Sequence, residues 1–545
     1  MQVEFFLFIV SLLFFASILT DKVSSRLGVP SLVLFLLVGM LFGSDGAGVD
    51  FDNVQAAQGL GSVALCVILF SGGMDTKLSD IRPVAREGVM LSTVGVLLMT
   101  VFTGVVIWLL MKWTHAGVEL ALPTALLMAA TMSSTDSASV FSILRGKGLH
   151  LKYNLRPMLE LESGSNDPMA AVLTTTMITV VAAGGQPNFW LLGLTIVGQL
   201  VIGFLAGFFF GKFLVWLMNK VNLQNESLYP ILVLTSCIFI FAVTAFLRGN
   251  SFLAVYIGGL VFGNSRFAHK RSTENFLDGI TWLCQLSMFL TLGLLVTPHE
   301  LLSWNVLLLG LVTSLVMILL SRPASVLLSL APFRALPFKA RAYVSWVGLR
   351  GASPILFAIM CLAAGVPNAR LIFNVVFFCT LVSLLVQGMS LGRMAEWLGV
   401  AEEPEHRLRK VESFDIDLPE EIKSAATEIR ITDEMLQQGH ALMNLGLPQN
   451  TLAIMVKRKA HGKGEQYFVP TGKSELRVGD RMLVISDNQD SLVKMYQEIA
   501  EGQQRKPNLL EDTEEVVRTL WYTTMAERLQ KRGERKLKKK LTKKA

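Results

Sequence analysis

Long apolar runs separated by short polar segments fill roughly the first 400 residues of the chain. A helix needs about 20 apolar residues to cross a bilayer, and most of these runs reach that length. The pattern predicts an all-α polytopic membrane protein with about thirteen transmembrane helices. The predicted spans are 3–20, 28–43, 57–74, 88–111, 119–140, 157–183, 189–218, 229–247, 251–264, 280–297, 303–330, 343–365 and 370–392.

The distribution of charge divides the chain. Hydrophobic residues make up 52% of the sequence and charged residues 17%, whereas a soluble protein carries about 25% charged residues. The shortage of charge is confined to the apolar part, and the sequence becomes ordinarily polar from Val400 onward. We therefore expect a transmembrane domain over 1–398, a charged linker over 399–412, a compact domain over 413–500 and a polar, basic tail over 501–545.

Lysine and arginine residues gather in alternate loops, with 18 in one set of loops and 3 in the other. Cytoplasmic loops carry the excess of these residues. The pattern predicts an outside N-terminus and a cytoplasmic C-terminal domain. Arg322, near the end of the 303–330 run, is assigned to the basic loop that follows it. Glu4 stands where a signal peptide would be basic, so we expect the first span to be retained.

The cysteines predict neither a metal site nor a disulfide framework. All five lie inside apolar runs, and no two are closely spaced. Small apolar packing residues are the simplest interpretation. The five are Cys66, Cys237, Cys284, Cys361 and Cys379.

Ionisable residues inside the spans are few, and they cluster in three segments. A charge in the middle of a span is costly, so each is a candidate for function. Arg350 needs a carboxylate partner, for which Glu162 and Glu160 are the two candidates. Glu160 lies one turn from a basic loop, so a surface ion pair and a transport role remain alternatives for it. The segments are TMSSTDSASV with Asp136, LELESGSNDPMA with Glu160, Glu162 and Asp167, and WVGLRGASP with Arg350.

The segment ESGSNDPMA has the spacing of a cation site built on a helix. Glu162 and Asn166 share one helical face, and Ser163 and Asp167 share the adjacent face. Pro168 weakens the backbone hydrogen bonding one turn earlier. Carbonyl groups that are freed at membrane depth must line a cavity or meet a ligand.

Two spans have the sequence of helices that are interrupted near the middle of the membrane. Polar residues from Thr131 to Ser139 break the fifth span, and Gly351 and Pro354 break the twelfth. Half-helix ends supply carbonyl oxygens for cations and N–H groups for negative charge. Packing between helices is the alternative explanation for the serines and threonines. The positions of the two breaks predict an inverted repeat of spans 4–6 and 11–13.

The motifs TDSASV, ESGSNDP and GLRGAS, in this order, resemble the NhaP branch of the monovalent cation:proton antiporters over roughly residues 1–395. The resemblance implies that Asp167 binds cation and proton in turn. It implies that Asn166 supports Asp167 and marks an electroneutral exchanger. It further implies a homodimer with an elevator-like core in a bacterial inner membrane. Implied cation ligands are Thr135, Asp136 and Ser163, and the implied structural ion pair is Glu162 with Arg350.

One departure from the family pattern is Ser137, which stands where many members have proline after the aspartate. The geometry of the first break is therefore open at this stage. This variant, together with the soluble domain, is similar to bacterial potassium/proton antiporters, so the resemblance favours potassium over sodium.

The C-terminal domain reads as a small α+β unit. The segment LGLPQNTLAIMVKR and the following YFVPTGKSELRVGDRMLVIS resemble the TrkA-C (RCK C-terminal) domain. The resemblance implies dimerisation and a regulatory ligand such as cyclic di-AMP or another nucleotide. A stabilising cap without a ligand is the alternative. Strands are predicted over 427–432, 451–456, 466–469 and 481–485, and a helix over 435–445.

The basic tail carries ten Lys and Arg residues between Ala526 and Ala545. Contact with anionic lipid and a solvated tail are its two interpretations. No nucleic-acid partner is expected beside a membrane domain.

The chemistry of a lone buried carboxylate predicts exchange. Burial favours its protonated form and a neighbouring cation favours its ionised form, so proton and cation compete for one charge. No phosphate-binding GxxxxGK[ST] loop occurs, so an ion gradient is the expected energy source, and neither enzymatic activity nor a cofactor is expected. The alternatives are a gated monovalent cation channel, although no TVGYG-like filter occurs, and a sensor that no longer transports.

Overall fold

The computed structural model describes residues 2–27, 30–49, 51–114, 120–146, 149–184, 188–402, 426–437, 439–448, 450–459 and 465–486. The chain divides into two compact units, Met1–Glu403 and Pro404–Ala545. Most of the predicted linker and the whole basic tail lie outside the described residues.

The first unit is helical, because backbone N–H and C=O groups in lipid must be satisfied within each segment. The first nine helices are α1 (Gln2–Leu27), α2 (Ser31–Phe42), α3 (Val54–Asp75), α4 (Leu78–Ile81), α5 (Ala85–Met90), α6 (Val96–Thr114), α7 (Leu122–Thr131), α8 (Ser137–Gly146) and α9 (Leu155–Ala182). The remaining ten are α10 (Phe189–Lys220), α11 (Leu228–Phe246), α12 (Ser251–Gly263), α13 (Lys270–Leu294), α14 (Pro298–Leu301), α15 (Trp304–Val316), α16 (Arg322–Ser329), α17 (Phe338–Trp346), α18 (Ala352–Ala363) and α19 (Ala369–Trp397). π-Helical turns at Leu91–Gly95 and Met317–Ser321 join α5 to α6 and α15 to α16.

Among the described residues, seven helices are long and apolar enough to cross a membrane, and five shorter helices are apolar. Each of the thirteen predicted runs contains helix, which confirms the all-α prediction for this unit. The count of thirteen spans stays a prediction. The seven are Val54–Asp75, Leu78–Lys112, Trp190–Lys220, Leu228–Phe246, Lys270–Leu294, Trp304–Ser329 and Ala369–Trp397.

Two helices are interrupted where the sequence predicts it. The backbone leaves the helix over residues 132–136, between α7 and α8, and again over residues 347–351, between α17 and α18. The two breaks touch, because the backbone N–H of Asp136 donates to the Leu349 carbonyl at 2.8 Å. Pro354 lies in the first turn of α18, where its missing N–H costs no helical hydrogen bond.

Close packing fixes helix α9 against its neighbours. The ring of Tyr256, on α12, lies against Gly164 of α9, so that a Cβ at position 164 would overlap the ring. On its other side α12 touches α3, where a Cβ at Gly259 would overlap the Phe70 carbonyl. Small residues of this kind let membrane helices approach closely.

A two-stranded ribbon links the middle of the first unit to its end. Strand β1 (His150–Leu151) pairs antiparallel with β2 (Ala401–Glu402). The backbone N–H of Lys152 also donates to the Val400 carbonyl at 2.9 Å. The ribbon therefore ties the start of α9 to the chain that follows α19.

The second unit is built on a four-stranded antiparallel sheet with the order β3-β6-β4-β5. Side chains from one face of the sheet, with Met435, Leu436 and Leu445, form its core. All four predicted strands coincide with strands of this sheet. They are β3 (Ala426–Arg430), β4 (Thr451–Lys459), β5 (Glu465–Phe468) and β6 (Arg481–Ser486).

The predicted helix over 435–445 is wrong. Two short 3₁₀ turns, Glu434–Leu436 and Leu442–Asn444, take its place. Between them Gly439 has a φ of +129°, a value that a right-handed helix does not contain. The backbone beyond it bonds instead to another segment, since the N–H of Leu442 donates to the Ser474 carbonyl at 3.0 Å.

Candidate functional site

Asp167 lies on α9, opposite the point where the two helix breaks meet. Its side chain is 7% exposed. The Ser134 hydroxyl, from the first break, donates to its Oδ1. The Ser353 hydroxyl, just past the second break, donates to its Oδ2 at 3.0 Å. Each oxygen of this buried carboxylate is therefore held by a neutral group from a different break.

Asn166 and Ser163 bring α9 against the first break. The Asn166 side-chain amide donates to the Thr135 hydroxyl, and the Ser163 hydroxyl donates to the Thr135 carbonyl at 3.0 Å. The Oδ1 oxygen of Asn166 is buried with no hydrogen-bond partner among the residues that the structure describes. An unsatisfied buried acceptor costs about 1–3 kcal/mol, so this oxygen is a candidate ligand for a cation.

Asp136 ends the first break by capping α8. Its Oδ1 accepts from the Ser139 backbone N–H at 3.1 Å, and its Oδ2 accepts from the Ser139 hydroxyl. This is the geometry of an N-cap, in which a side-chain oxygen satisfies an N–H that the helix leaves open. Two groups of Asp136 stabilise this break: its carboxylate caps α8, and its backbone N–H donates to the Leu349 carbonyl. The break therefore forms although position 137 is serine and not proline. A role for Asp136 as a cation ligand stays a prediction.

The predicted ion pair between Glu162 and Arg350 is wrong in its cationic partner. Glu162 Oε1 is paired with Arg322 Nη1 at 2.6 Å, and the two side chains are 1% and 3% exposed. Arg322 follows the π-helical turn Met317–Ser321. Such a turn holds one extra residue and rotates the residues after it about the helix axis. Arg322 is therefore a buried helix residue and not the loop residue that its basic surroundings predict.

Arg350 contacts the first break and is not the residue paired with Glu162. Its Nη1 donates to the Ser134 carbonyl, and its Nη2 lies 3.0 Å from the Met99 sulfur. The Ser134 carbonyl lies in a non-helical stretch, where no helical N–H reaches it. The backbone N–H of Arg350 donates to the Ser383 hydroxyl at 3.0 Å, which fixes the second break to α19.

Three residues of this site escaped the sequence analysis. Ser134 and Ser353 lie in the quoted motifs, but a serine in a membrane span is usually a packing residue. Arg322 carried the stronger signal, because it is an ionisable residue inside an apolar run. Pro323 and the basic residues beyond it concealed that signal.

The buried charged groups around the breaks are two carboxylates, those of Glu162 and Asp167, and two guanidinium groups, those of Arg322 and Arg350. The carboxylate of Asp136 is half-buried. Glu162 is paired with Arg322 at 2.6 Å, whereas the oxygens of Asp167 accept from serine hydroxyls. A buried charge needs a compensating partner, and a proton or a monovalent cation bound at Asp167 can serve as one.

Glu160 lies away from this cluster. Its Oε1 is paired with Arg156 Nε at 2.9 Å, one turn earlier on α9, and both side chains are partly exposed. Of the two alternatives for Glu160, the structure shows the surface ion pair.

Comparison with known proteins identifies relatives of the whole helical unit. The family model described as "Sodium/hydrogen exchanger, transmembrane" matches residues 9–397. The K(+)/H(+) antiporter NhaP of Alkalimonas amylolytica is 41% identical over 393 residues, which cover 72% of this chain and 66% of that relative, just under two thirds. The K(+)/H(+) antiporter NhaP2 of Shewanella sp. (strain MR-4) is 38% identical over 501 residues, 89% of this chain and 81% of that relative.

The solved structures agree on the fold. The sodium proton antiporter MjNhaP1 from Methanocaldococcus jannaschii at pH 8 matches with a TM-score of 0.62 at 21% identity. The match covers 73% of this chain and 99% of that one. These comparisons confirm the resemblance to the NhaP branch that the three motifs carry. The chain belongs to the sodium/hydrogen exchanger family.

Proposed function

We propose that this chain is a secondary antiporter that exchanges potassium for protons, with Asp167 holding one or the other in turn. The family and the K(+)/H(+) antiporter names of two relatives support cation/proton exchange. The observation that carries the proposal is the setting of Asp167. It is a buried carboxylate whose two oxygens each accept a hydrogen bond from a serine hydroxyl, Ser134 in the first break and Ser353 just past the second.

The hydrogen bonds of Asp167 suit a site that changes its occupant. A serine hydroxyl donates to an ionised carboxylate, and its oxygen can turn to accept or to ligate a cation. Burial favours the protonated carboxylate, and a cation at the site favours the ionised one. Proton and cation therefore exclude each other. We propose Asn166, Thr135, Ser163 and Asp136 as the further groups that surround the cation.

The neutral side chain of Asn166 supports electroneutral exchange. Asn166 occupies a position beside Asp167 where a second carboxylate would add another negative charge. With Asn166 neutral, one proton or one potassium ion neutralises the single carboxylate of Asp167. Each crossing of the loaded site then moves the same charge, whichever ion it holds.

The identity of the cation is proposed on relatives as well as on chemistry. Two similar relatives are named K(+)/H(+) antiporters. The Na(+)/H(+) antiporter NhaG of Bacillus atrophaeus is 29% identical over only 304 residues. Potassium is therefore the proposed main substrate, and sodium or another alkali cation is the proposed weaker one.

We propose elevator-like alternating access for the movement of the site. Its groups lie on α9, α16 and the two breaks, which hydrogen bonds and an ion pair join into one body. That body moves with its occupant past the remaining helices. A homodimer in a bacterial inner membrane, with the N-terminus outside and the second unit in the cytoplasm, completes the proposal.

For the second unit we propose a regulatory role of the TrkA-C kind. Its antiparallel sheet and core form a folded module of their own. A nucleotide such as cyclic di-AMP is the proposed class of ligand. A cap that stabilises the transporter without a ligand is the alternative.

The test is exchange by the purified protein in proteoliposomes with a pH-sensitive dye inside. Potassium, sodium, lithium and rubidium are added outside in turn, and the parent is compared with Asp167→Asn. We expect the parent to export protons on potassium addition, with a smaller response to sodium, and the variant to give no response. Silence of the parent towards all four cations would falsify the proposal.

The same vesicles separate exchange from a gated channel. With equal potassium on both sides and an imposed pH gradient as the driving force, an electroneutral exchanger gives the same dye response with and without valinomycin, which holds the membrane potential at zero. A channel passes potassium or rubidium tracer without proton coupling, so tracer flux without a dye response would favour the channel.

A further inference from the structure

Helix α12 and its N-cap residue touch α9, the helix that carries Asp167, at two points. The side-chain amide of Asn250, the N-cap residue, donates from Nδ2 to the Pro168 carbonyl of α9 at 2.7 Å. Further along α12, the ring of Tyr256 lies against Gly164 of α9. Gly164 and Pro168 are four residues apart and therefore share one face of the helix. The face of α9 beside Asp167 thus turns towards α12.

Asn250 joins three helices through three different groups. Its backbone N–H donates to the Gln199 carbonyl of α10 at 2.9 Å. Its Oδ1 caps α12 by accepting from the Leu253 backbone N–H at 2.8 Å, and its Nδ2 reaches Pro168 of α9. The cap fixes the orientation of the amide, because Oδ1 is engaged there and N–H groups remain for the Pro168 carbonyl. The residue is 5% exposed, so the bond to Pro168 is shielded from water.

Helix α12 is interlocked with α3 and α10. At three glycines of these two helices, a Cβ would lie within 2.6 Å of a carbonyl oxygen of α12 or its N-cap residue. Small residues let membrane helices approach closely in this way, and close-packed surfaces do not deform continuously. We therefore treat α3, α10 and α12 as one body, which we call the frame. The three glycines are Gly73 of α3 and Gly203 and Gly207 of α10.

The two contacts between α9 and the frame are of a different kind. They are made by side chains, the Asn250 amide and the Tyr256 ring. A side chain can change its rotamer without any movement of the backbone that carries it. The boundary between α9 and α12 is therefore the place where α9 can move past the frame, and the Asn250 bond crosses it next to Asp167.

We propose that Asn250 is a latch, a residue whose hydrogen bond to the Pro168 carbonyl holds α9 against the frame in one of the two access states. The proposal rests on the alternating access proposed above, in which α9 moves past the remaining helices. A bond across a moving boundary is made in one state and broken in the other, so it favours the state in which it is made. Asn250 acts through the position of α9 and is a positioning residue of the exchange cycle.

Loss of the latch should shift the balance between the two access states. Hydrogen bonds between membrane helices have strengths that correspond to a shift of about threefold on average and about tenfold for the strong ones. The apparent affinity for a ligand scales with the fraction of protein in the state that can bind it. The half-saturating potassium concentration should therefore rise on one side of the membrane and fall on the other. A general loss of stability does not move the two values in opposite directions.

The test variant is Asn250→Ser in the full chain. Serine is also a good N-cap residue, and it keeps the backbone bond to Gln199, but its shorter side chain does not reach the Pro168 carbonyl. Potassium-driven proton movement is measured over a potassium series in right-side-out and in inverted membrane vesicles, with vesicles from cells without the chain as background. We expect the ratio of the two half-saturating concentrations to change by about threefold or more.

Two further variants separate the latch from the cap. Asn250→Ala removes both functions, so it should shift the ratio as Asn250→Ser does and also lower the thermal unfolding midpoint, because the cap is lost. The matched control is Asn53→Ser. Asn53 caps α3, where its Oδ1 accepts from the Ala56 backbone N–H at 2.9 Å. The ratio should keep its parental value in this variant.

The outcomes distinguish the latch from the transport function. If the parent exchanges potassium for protons and Asn250→Ser keeps the parental ratio, the latch is overturned and the transport proposal stands. A ratio that changes in Asn250→Ala but not in Asn250→Ser assigns the effect to the cap and also overturns the latch, as does an equal shift in Asn53→Ser. A parent that is silent in both kinds of vesicle overturns the transport proposal and the latch with it.

Discussion

Helix α9 carries two buried carboxylates five residues apart, and their surroundings differ. Glu162 is paired with the guanidinium group of Arg322 at 2.6 Å, and both side chains are almost fully buried. Asp167 meets two serine hydroxyls, one from each helix break. Among the residues that the structure describes, the first carboxylate has a cationic partner, whereas the hydrogen-bond donors to the second are neutral.

This difference indicates which carboxylate can exchange its partner. A buried ion pair resists change, because removing either member leaves a buried charge uncompensated. A carboxylate held by hydroxyls can take a proton or a cation while the hydroxyls adjust. Glu162 therefore belongs to the framework and Asp167 to the transport cycle.

Asp167→Asn should abolish exchange. The amide keeps the size of the side chain but lacks its charge, and two unit charges 4 Å apart are worth about 4 kcal/mol at the effective dielectric of a protein. Potassium-driven proton movement in proteoliposomes should fall to the level of empty vesicles. The variant should still insert and elute at the parent's position in gel filtration.

The distinction between the two carboxylates is wrong if Glu162→Gln folds normally but does not exchange, while Asp167→Asn still exchanges. Exchange by Asp167→Asn at the parental rate would also contradict it. Glu160→Gln is the matched control on the same helix. Its parent side chain pairs with Arg156 at the surface, so near-parental exchange is expected.

Breaking the Glu162–Arg322 pair should destabilise the fold. Glu162→Gln and Arg322→Gln should each lower the free energy of unfolding by about 3–5 kcal/mol, because each leaves a buried charge alone. The measurement is the thermal unfolding midpoint in detergent, with yield after gel filtration as a second readout. Glu162→Gln combined with Arg322→Met should recover part of the loss, because neither charge then remains buried.

A double-mutant cycle sharpens the corrected pairing. The coupling between Glu162 and Arg322 should exceed that between Glu162 and Arg350, since contacting residues couple by about 0.5–3 kcal/mol. Arg350 acts through the Ser134 carbonyl, so Arg350→Met should affect transport through the first break. A larger coupling with Arg350 would restore the pairing that the sequence predicts.

The surroundings of Asp167 and those of Glu162 differ in how much of them the sequence predicts. Local helical periodicity predicts Ser163 and Asp167 on one face of α9 and Asn166 on the adjacent face, and in the structure all three bond to residues of the first break. The cationic partner of Glu162 is Arg322, which directly follows a π-helical turn in a distant helix. No local pattern encodes which of the two arginines, Arg322 or Arg350 at the second break, reaches Glu162.

The fold shows the same contrast between local and distant information. Apolar runs and the two breaks could be read directly, since each is a local property of the chain. The contact between the breaks depends on the packing of all the surrounding helices, and so do the serine bonds to Asp167. In the second unit the strands were predicted, but the short turns around Gly439 were missed. Bonds to a segment some 30 residues away hold those turns.

Removing one hydroxyl from Asp167 should have a moderate effect on transport. Ser134→Ala and Ser353→Ala should each raise the half-saturating potassium concentration by about tenfold, because a hydrogen bond to a charged group is worth about 1.5–3 kcal/mol. The donors stabilise the ionised form that binds the cation, so their loss favours the proton. Dye responses over a potassium series measure this.

Ser134→Thr and Ser353→Thr keep the hydroxyl and should therefore keep most of the parental affinity for potassium. Ser314→Ala is the second control, because the buried Ser314 hydroxyl donates to the Gly310 carbonyl within α15 at 2.7 Å. If Ser314→Ala raises the half-saturating potassium concentration more than Ser134→Ala does, the hydroxyl pair around Asp167 is not the site that sets affinity.

The smallest expected effect belongs to an exposed counterpart of the Glu162–Arg322 pair. Glu300, between α13 and α15, is paired with Arg370 at 2.8 Å, with both side chains partly exposed. Glu300→Gln should lower the free energy of unfolding at pH 7 by about 1 kcal/mol or less, as exposed pairs do. The Arg370 hydrogen bond lowers the pKa of Glu300 from its ordinary 4.5. The stabilisation is therefore complete above pH 4.5 and is lost as the pH falls through the lowered value. The thermal unfolding midpoints of the parent and Glu300→Gln should thus converge on acidification. If Glu300→Gln lowers the midpoint at pH 7 as much as Glu162→Gln does, burial does not distinguish the two pairs.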